Sequence, residues 1–366
     1  MHPAHIRNTT HHTLSKENAM NIKPLIAGVA AVAAVTTMSG CAVGVSAAGE
    51  GEGELTFVSA GGAFQDAQIK VWQEPYTAET GTGFVNDSPI DDAKMKLMVD
   101  SGNVIWDTLS VTTGTSFQYC DEYLEKLDFS VIDKDAYPEG LVSDCGVPVF
   151  GNSQYMLYNT DAFGGNPPTT AADFFDLEKF PGKRLLLPEI TVGLIEFALI
   201  ADGVPRDDLY PLDVERALAK LDTIKSELVF TETYAQVQQA LESSQVEMAL
   251  SLNARAALAM RNGAPFAPVW DTVIMTTDSL VIPKGAPNKE EAMKFIASVQ
   301  DKEKQADIAE LLTVNPIDED VKPELDEVQQ SIYPFDHEEA LVYSDPAWWG
   351  ENQEKAIELY NAWKSK

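Results

Sequence analysis

Histidine is scarce in this 366-residue chain: there are five, and His2, His5, His11 and His12 crowd the first dozen positions. Beyond them only His337 is left. That removes His-rich zinc sites, and it removes a Ser–His–Asp triad unless His337 is the base. There is no G-x-S-x-G, no H-E-x-x-H and no G-x-x-x-x-G-K-[ST], so the catalytic inventory is poor. Basic residues are few as well. Lys and Arg total 26 against 57 Asp and Glu, for a formal charge of −31. Such a surface excludes nucleic acid as a partner, because phosphates need Lys and Arg. It suits a cationic ligand, and equally a protein kept soluble in a salty medium. Cysteine numbers three, and only one apolar run approaches membrane length.

What is present describes an exported globular protein. With 45% hydrophobic and 23% charged residues, the chain is long enough for two domains. Lys23 precedes the Ala/Val-rich run Pro24 to Met38, which fits the apolar region of a signal peptide better than a bilayer span. The run ends Met38-Ser39-Gly40-Cys41, which resembles a bacterial lipobox. On that reading Cys41 carries the lipid anchor; cleavage after Val45-Ser46-Ala47 is the competing reading. Residues 1–41 are thus leader and signal, and the Gly/Glu-rich residues 42–53 a flexible tether. In an oxidising compartment Cys120 and Cys145 suggest one disulfide, two buried thiols being the alternative.

Strands alternate with helices through the rest, an α/β pattern. Leu55 to Ser59 is a short strand running into Ala60-Gly61-Gly62 and a helix; glycines there let a ligand approach the backbone. Val104 to Val111 is a strand ending in Thr112-Thr113 before a further helix. Ligands of open α/β sheets bind outside the carboxyl ends of strands, so Gly61, Gly62, Thr112 and Thr113 are candidate donors, with ordinary turn and capping roles as the plain alternative. Gly146 to Tyr158 is an extended crossover. Val246 to Leu252 alternates as a half-buried strand does, and Asn253 caps the helix that follows. Arg255 lies in that helix's first turn, where free N–H groups already favour an anion and a guanidinium adds a bidentate clamp. A strand over Ala267 to Met275 turns at Thr276-Thr277-Asp278 into Ser279 to Ile282. Asp278 is placed to hold an ammonium, although a plain Arg–Asp surface pair fits the spacing too. Asn288 and Glu291 form a capping box. Trp348-Trp349 precedes the last helix, where Trp349 either stacks on an amine or latches the fold.

Several runs carry a family resemblance: LTFVSAGG at Leu55 to Gly62, PPTTAADFFDLEKF at Pro167 to Phe180 with PGKR after it, ADGVPRDDLYPLDVERALAKLD at Ala201 to Asp222, SLNAR at Ser251 to Arg255, Asp278 to Lys289, and the terminal AWWGEN. In this order they resemble the extracellular solute-binding proteins of bacterial ABC importers, in the polyamine (spermidine/putrescine)-binding family. The resemblance implies an α/β, two-lobed periplasmic-binding-protein-like (type II) fold with a hinge and an interlobe cleft. It implies one lobe of residues 54–150 plus 279–330, a second of 151–278, and a segment 331–366 packing on both. It further implies a monomer that binds a small solute and docks on membrane permease subunits, with no cofactor and no catalysis. Departures from the polyamine pattern are specific. Leu252 and Thr276 stand where aromatics are expected, and Ile190 and Gly193 where acids are, although Glu189 is near. Asp278 is kept and Arg255 is added. That set looks closer to binders of γ-aminobutyrate-like ω-amino acids, with Asn253, Arg255, Asp278 and Trp349 joining the glycines and threonines at the ligand. A polyamine binder is the alternative; an exported hydrolase using His337, or a Glu189/Glu196 pair, and an adhesion or sensor module are the remote ones.

Overall fold

The computed structural model describes residues 53–366 apart from Glu139 and Glu319; Cys41, the signal segment and all but the end of the tether lie outside the described residues. Among these, no helix is long and apolar enough to cross a membrane. Nine strands among the described residues form one mixed sheet: β1 (Leu55–Val58), β2 (Phe84–Asp87), β3 (Thr108–Thr112), β4 (Gly146–Asn159), β5 (Arg184–Leu186), β6 (Leu228–Phe230), β7 (Met248–Leu252), β8 (Phe266–Val281) and β9 (Leu341–Tyr343). The order is β2-β1-β3-β8-β4-β7-β5-β6, with β9 alongside β8. At each end the strands run parallel (β2, β1, β3 and β6, β5, β7), and the long antiparallel pair β4–β8 joins the two ends.

These two strands change core along their length. β4 gives Val147, Val149 and Phe150 to a core with Phe57, Trp72 and Phe295, then Tyr155, Met156 and Leu157 to another with Leu185, Phe197 and Leu221. β8 gives Ile274 and Met275 to the second core and Leu280 to the first. Two apolar cores threaded by the same pair of strands make two lobes, and the crossover is where a pivot belongs. A smaller cluster with Met95, Trp106 and Leu109 completes the first lobe. The C-terminal helix Pro346–Lys364 buries Trp349, Ala356, Tyr360 and Trp363 in the second core.

Local sequence explains much of this. Asp213 accepts from the Arg216 N–H at 3.0 Å, starting the helix Val214–Asp222, whose Val214, Ala217, Leu218 and Leu221 are buried. That helix ends at Asp222, so Ile224 and Leu228 pack from beyond it. Other expectations need correction. β7 is buried on both faces because β4 and β5 flank it and helices cover it; alternating Glu247 precedes the strand. The expected turn at Thr276-Thr277-Asp278 does not exist, since ladder bonds to β3 and β4 carry β8 straight through. The helix expected over Ser116 to Leu127 is instead the short Thr113–Gln118. Asn288 starts its helix without a side-chain cap; its amide goes to the Glu54 carbonyl and to Asp107, while Glu291 accepts from Tyr76 and Thr82. Tertiary partners outcompete the local capping box there.

Candidate functional site

The carboxyl ends of both parallel sets point to the crossover. On the first lobe, β3 ends at Thr112, which is in register with Asp278 of β8. Gly61 follows β1 at φ +79°, and a Cβ there would come within 2.9 Å of the Ser88 hydroxyl oxygen. Gly62, at φ +58°, has open space where a side chain would be. Thr112 and Thr113 part company. Thr113 shares its hydroxyl with Thr277 at 2.7 Å and Ser279 at 2.8 Å, residues on the sheet face opposite Asp278. Thr112 sits on the Asp278 register with its hydroxyl 3.0 Å from that of Thr115.

On the second lobe three side chains gather at the equivalent strand ends. Glu189 follows β5, Tyr234 opens the helix Tyr234–Glu242 behind its cap Thr233, and Arg255 stands in the first turn of the helix Asn253–Arg261. Leu252 is the cap, so Asn253 is already helical; its side chain is buried, and its Oδ1 has no hydrogen-bond partner among the described residues. The Arg255 guanidinium lies 6.0 Å from the Tyr234 ring centroid, and its Nη1 donates to Gln238 Oε1 at 3.4 Å. Asn152 of β4 donates to Asp278 at 3.4 Å.

Electrostatics tie these groups together. Burial pushes the Asp278 carboxyl up to about 8, and the Glu189 charge adds to the push. Burial also raises the Tyr234 phenol, with Glu189 and Asp278 adding and Arg255 opposing. Arg255 is lowered by burial, partly offset by Tyr234. Glu189 is exposed, and its carboxyl is raised by the surrounding protein, with Tyr234 opposing and Asp92 adding; at an exposed group water screens the effect. Arg255, Glu189 and Asp278 form no ion pair with any described residue. Half-buried charges left without a counter-charge are costly unless a ligand completes them.

The remaining candidates lie elsewhere. Trp349 is 3% exposed, and its indole N–H donates to Glu196 at 2.8 Å. Glu196 also accepts from Tyr210 at 2.7 Å and Ser344 at 3.1 Å, so it anchors the C-terminal helix. Trp348 packs edge-on to Tyr210. Trp349 therefore latches the fold, although it does border a cavity of about 40 Å³ with Thr112, Thr113, Thr191 and Thr276. His337 stacks on Trp270 at 3.8 Å. A disulfide joins Cys120 and Cys145, with Cα atoms 5.2 Å apart. A larger open hollow of about 1060 Å³ near Lys70, Asp133 and Lys302 holds none of the paired groups above. Sequence reasoning did not place Tyr234 or Asn152 at the site. Tyr234 reads as one more helix residue, and only its position just past a strand's carboxyl end marks it out.

Two lobes joined by crossover strands, with Arg255 and Glu189 just past strand carboxyl ends and Asp278 beside the end of β3, fit a solute-capturing protein. Residues 72–332 match the bacterial extracellular solute-binding protein family, and the chain belongs to it. The protein is the solute-binding component of an ABC transport system, whose small-molecule ligand passes to permease subunits in the membrane. A relative from Pseudomonas aeruginosa, the gamma-aminobutyric acid-binding protein, is 33% identical over 322 residues, covering 85% of this chain and 91% of that one. Among solved structures, the Atu4243 GABA receptor superposes with a TM-score of 0.80 at 38% identity, covering 86% of this chain and 98% of that one. AgtB of Agrobacterium tumefaciens R10, solved with agropinic acid, gives 0.73 at 30% identity, covering 86% and 99%.

Proposed function

We propose that the captured solute is a γ-aminobutyrate-like ω-amino acid, its carboxylate on Arg255 and its ammonium on Asp278. One observation carries this reading: Arg255, just past the end of β7, and the Asp278 carboxyl, in register with the end of β3, both lack an ion-pair partner among the described residues and both act on Tyr234. A ligand with opposite charges at its two ends pairs with the guanidinium and, as the Asp278 proton leaves, with its carboxylate. The naming of two relatives for γ-aminobutyrate supports the same chemistry. Glycines Gly61 and Gly62 and Thr112 close over the ligand from residues 54–150 plus 279–330, while 151–278 supply Asn253 and Arg255. The chain works as a monomer without covalent chemistry, held at the membrane face by a lipid on Cys41.

A thermal-shift panel of γ-aminobutyrate, longer ω-amino acids, putrescine and spermidine tests it. Ligand at 100 times its Kd stabilises by about 2.7 kcal/mol, a readable shift. No shift with any of the four removes the amine reading. A polyamine is the second reading, favoured by the charge of −31 and by Glu189 beside Asp278. A larger shift with putrescine than with γ-aminobutyrate selects it.

A further inference from the structure

Gln154 sits near the middle of crossover strand β4, in register with Leu252 of β7 on one side and Ile274 of β8 on the other. Side chains alternate along a strand, so Gln154 shares its face with Asn152, the residue that donates to Asp278. It lies one strand repeat further toward the second lobe, beside the residue that precedes Asn253 and Arg255. It is 1% exposed, and neither Oε1 nor Nε2 has a hydrogen-bond partner among the described residues. The backbone at Gly193 packs close to it: a Cβ there would meet Gln154 Nε2 at 3.0 Å and Ile274 Cβ at 2.7 Å. Gly193, at φ +106°, closes the segment 188–193, which begins just after β5 and carries Glu189.

A buried amide left unpaired on both atoms costs more than an apolar side chain of the same shape. Such a cost is retained where a second conformation or a bound state recovers it. We propose that Gln154 is a positioning residue for solute capture: its amide, unpaired among the described residues, gains a hydrogen-bond partner from segment 188–193 when that segment settles on bound ligand. The segment then sets Glu189 beside the ligand's ammonium, so the buried amide acts on the solute through Glu189 without touching it. This rests on the ω-amino acid reading for its probe.

The test uses Gln154→Met, whose side chain has a similar shape and no polar group, with Gln154→Leu as a second variant. Both are melted without ligand and titrated with γ-aminobutyrate by calorimetry, putrescine serving if wild type prefers it. The expected result has opposite signs: the ligand-free variants melt higher by about 2 °C or more, and their Kd weakens about fivefold, the worth of one net hydrogen bond. Ligand-free variants that melt lower than wild type overturn the inference, because the amide then already has a partner such as a buried water. Higher melting with unchanged Kd also overturns it, while the ω-amino acid reading stands. Wild type that binds neither probe sinks that reading and this inference together.

Discussion

Asn152 donates to Asp278 across β4 and β8 at 3.4 Å, so the acid at the crossover is held by one weak neutral donor and no cation. Its pKa of about 8 follows from burial and from Glu189. The native value lies above the unfolded value of about 3.9, so the native state holds the proton over that interval, and its stability falls as pH rises from about 4 to about 8. Melting of ligand-free wild type over pH 5 to 9 therefore declines more steeply than that of Asp278→Asn. An equal slope in the two proteins contradicts the assignment.

An ammonium favours the ionised carboxylate, so ω-amino acid binding below about pH 8 releases a proton. Calorimetry in buffers of different ionisation enthalpy reads that proton directly. Glu189→Gln removes a charge that raises Asp278, so the pH at which proton release fades moves downward.

Arg255→Ala separates the two ligand readings. Loss of a charge-assisted carboxylate clamp weakens γ-aminobutyrate by about 10- to 100-fold. Putrescine, which has no carboxylate, binds as well or better because a cation has left its cleft. Equal loss for both ligands would mean that Arg255 supports the fold and not the carboxylate.

Trp349→Phe keeps an aromatic ring, though a smaller one, and loses the donor to Glu196. The variant is destabilised by about 1–3 kcal/mol, since a buried acceptor loses a partner. Its Kd for γ-aminobutyrate stays within about twofold, as one net hydrogen bond is the least a direct contact contributes. A tenfold loss of affinity would return Trp349 to the ligand.

Reducing the Cys120–Cys145 bridge opens a loop of 25 residues. Loop-closure entropy of that length contributes about 3 kcal/mol, so the midpoint of urea unfolding drops on adding dithiothreitol. Cys120→Ser/Cys145→Ser matches the reduced protein and no longer responds to the reagent.

The strand ends that carry the candidate residues were legible in the chain. Strand ends followed by Gly61-Gly62, Thr112 and Asn253-x-Arg255 declare themselves by local composition, because a strand's carboxyl end and a helix start have recognisable residues. Element limits went astray where partners decide them. β8 reads as two strands with a turn because Thr276, Thr277 and Asp278 are polar, yet flanking strands satisfy that backbone without a break.

Sequence alone determined an α/β chain of acidic composition, with few catalytic groups and with Arg255 just past a strand's carboxyl end. Tertiary structure decided the rest: that Thr112 lies on the Asp278 register while Thr113 binds to the other face, that Trp349 donates to Glu196, that Tyr234 is coupled electrostatically to Glu189, Asp278 and Arg255, and that Gln154 is buried on the face of Asn152. These residues lie far apart along the chain, and only the pairing of β4 with β7 and β8 fixes which of their faces meet.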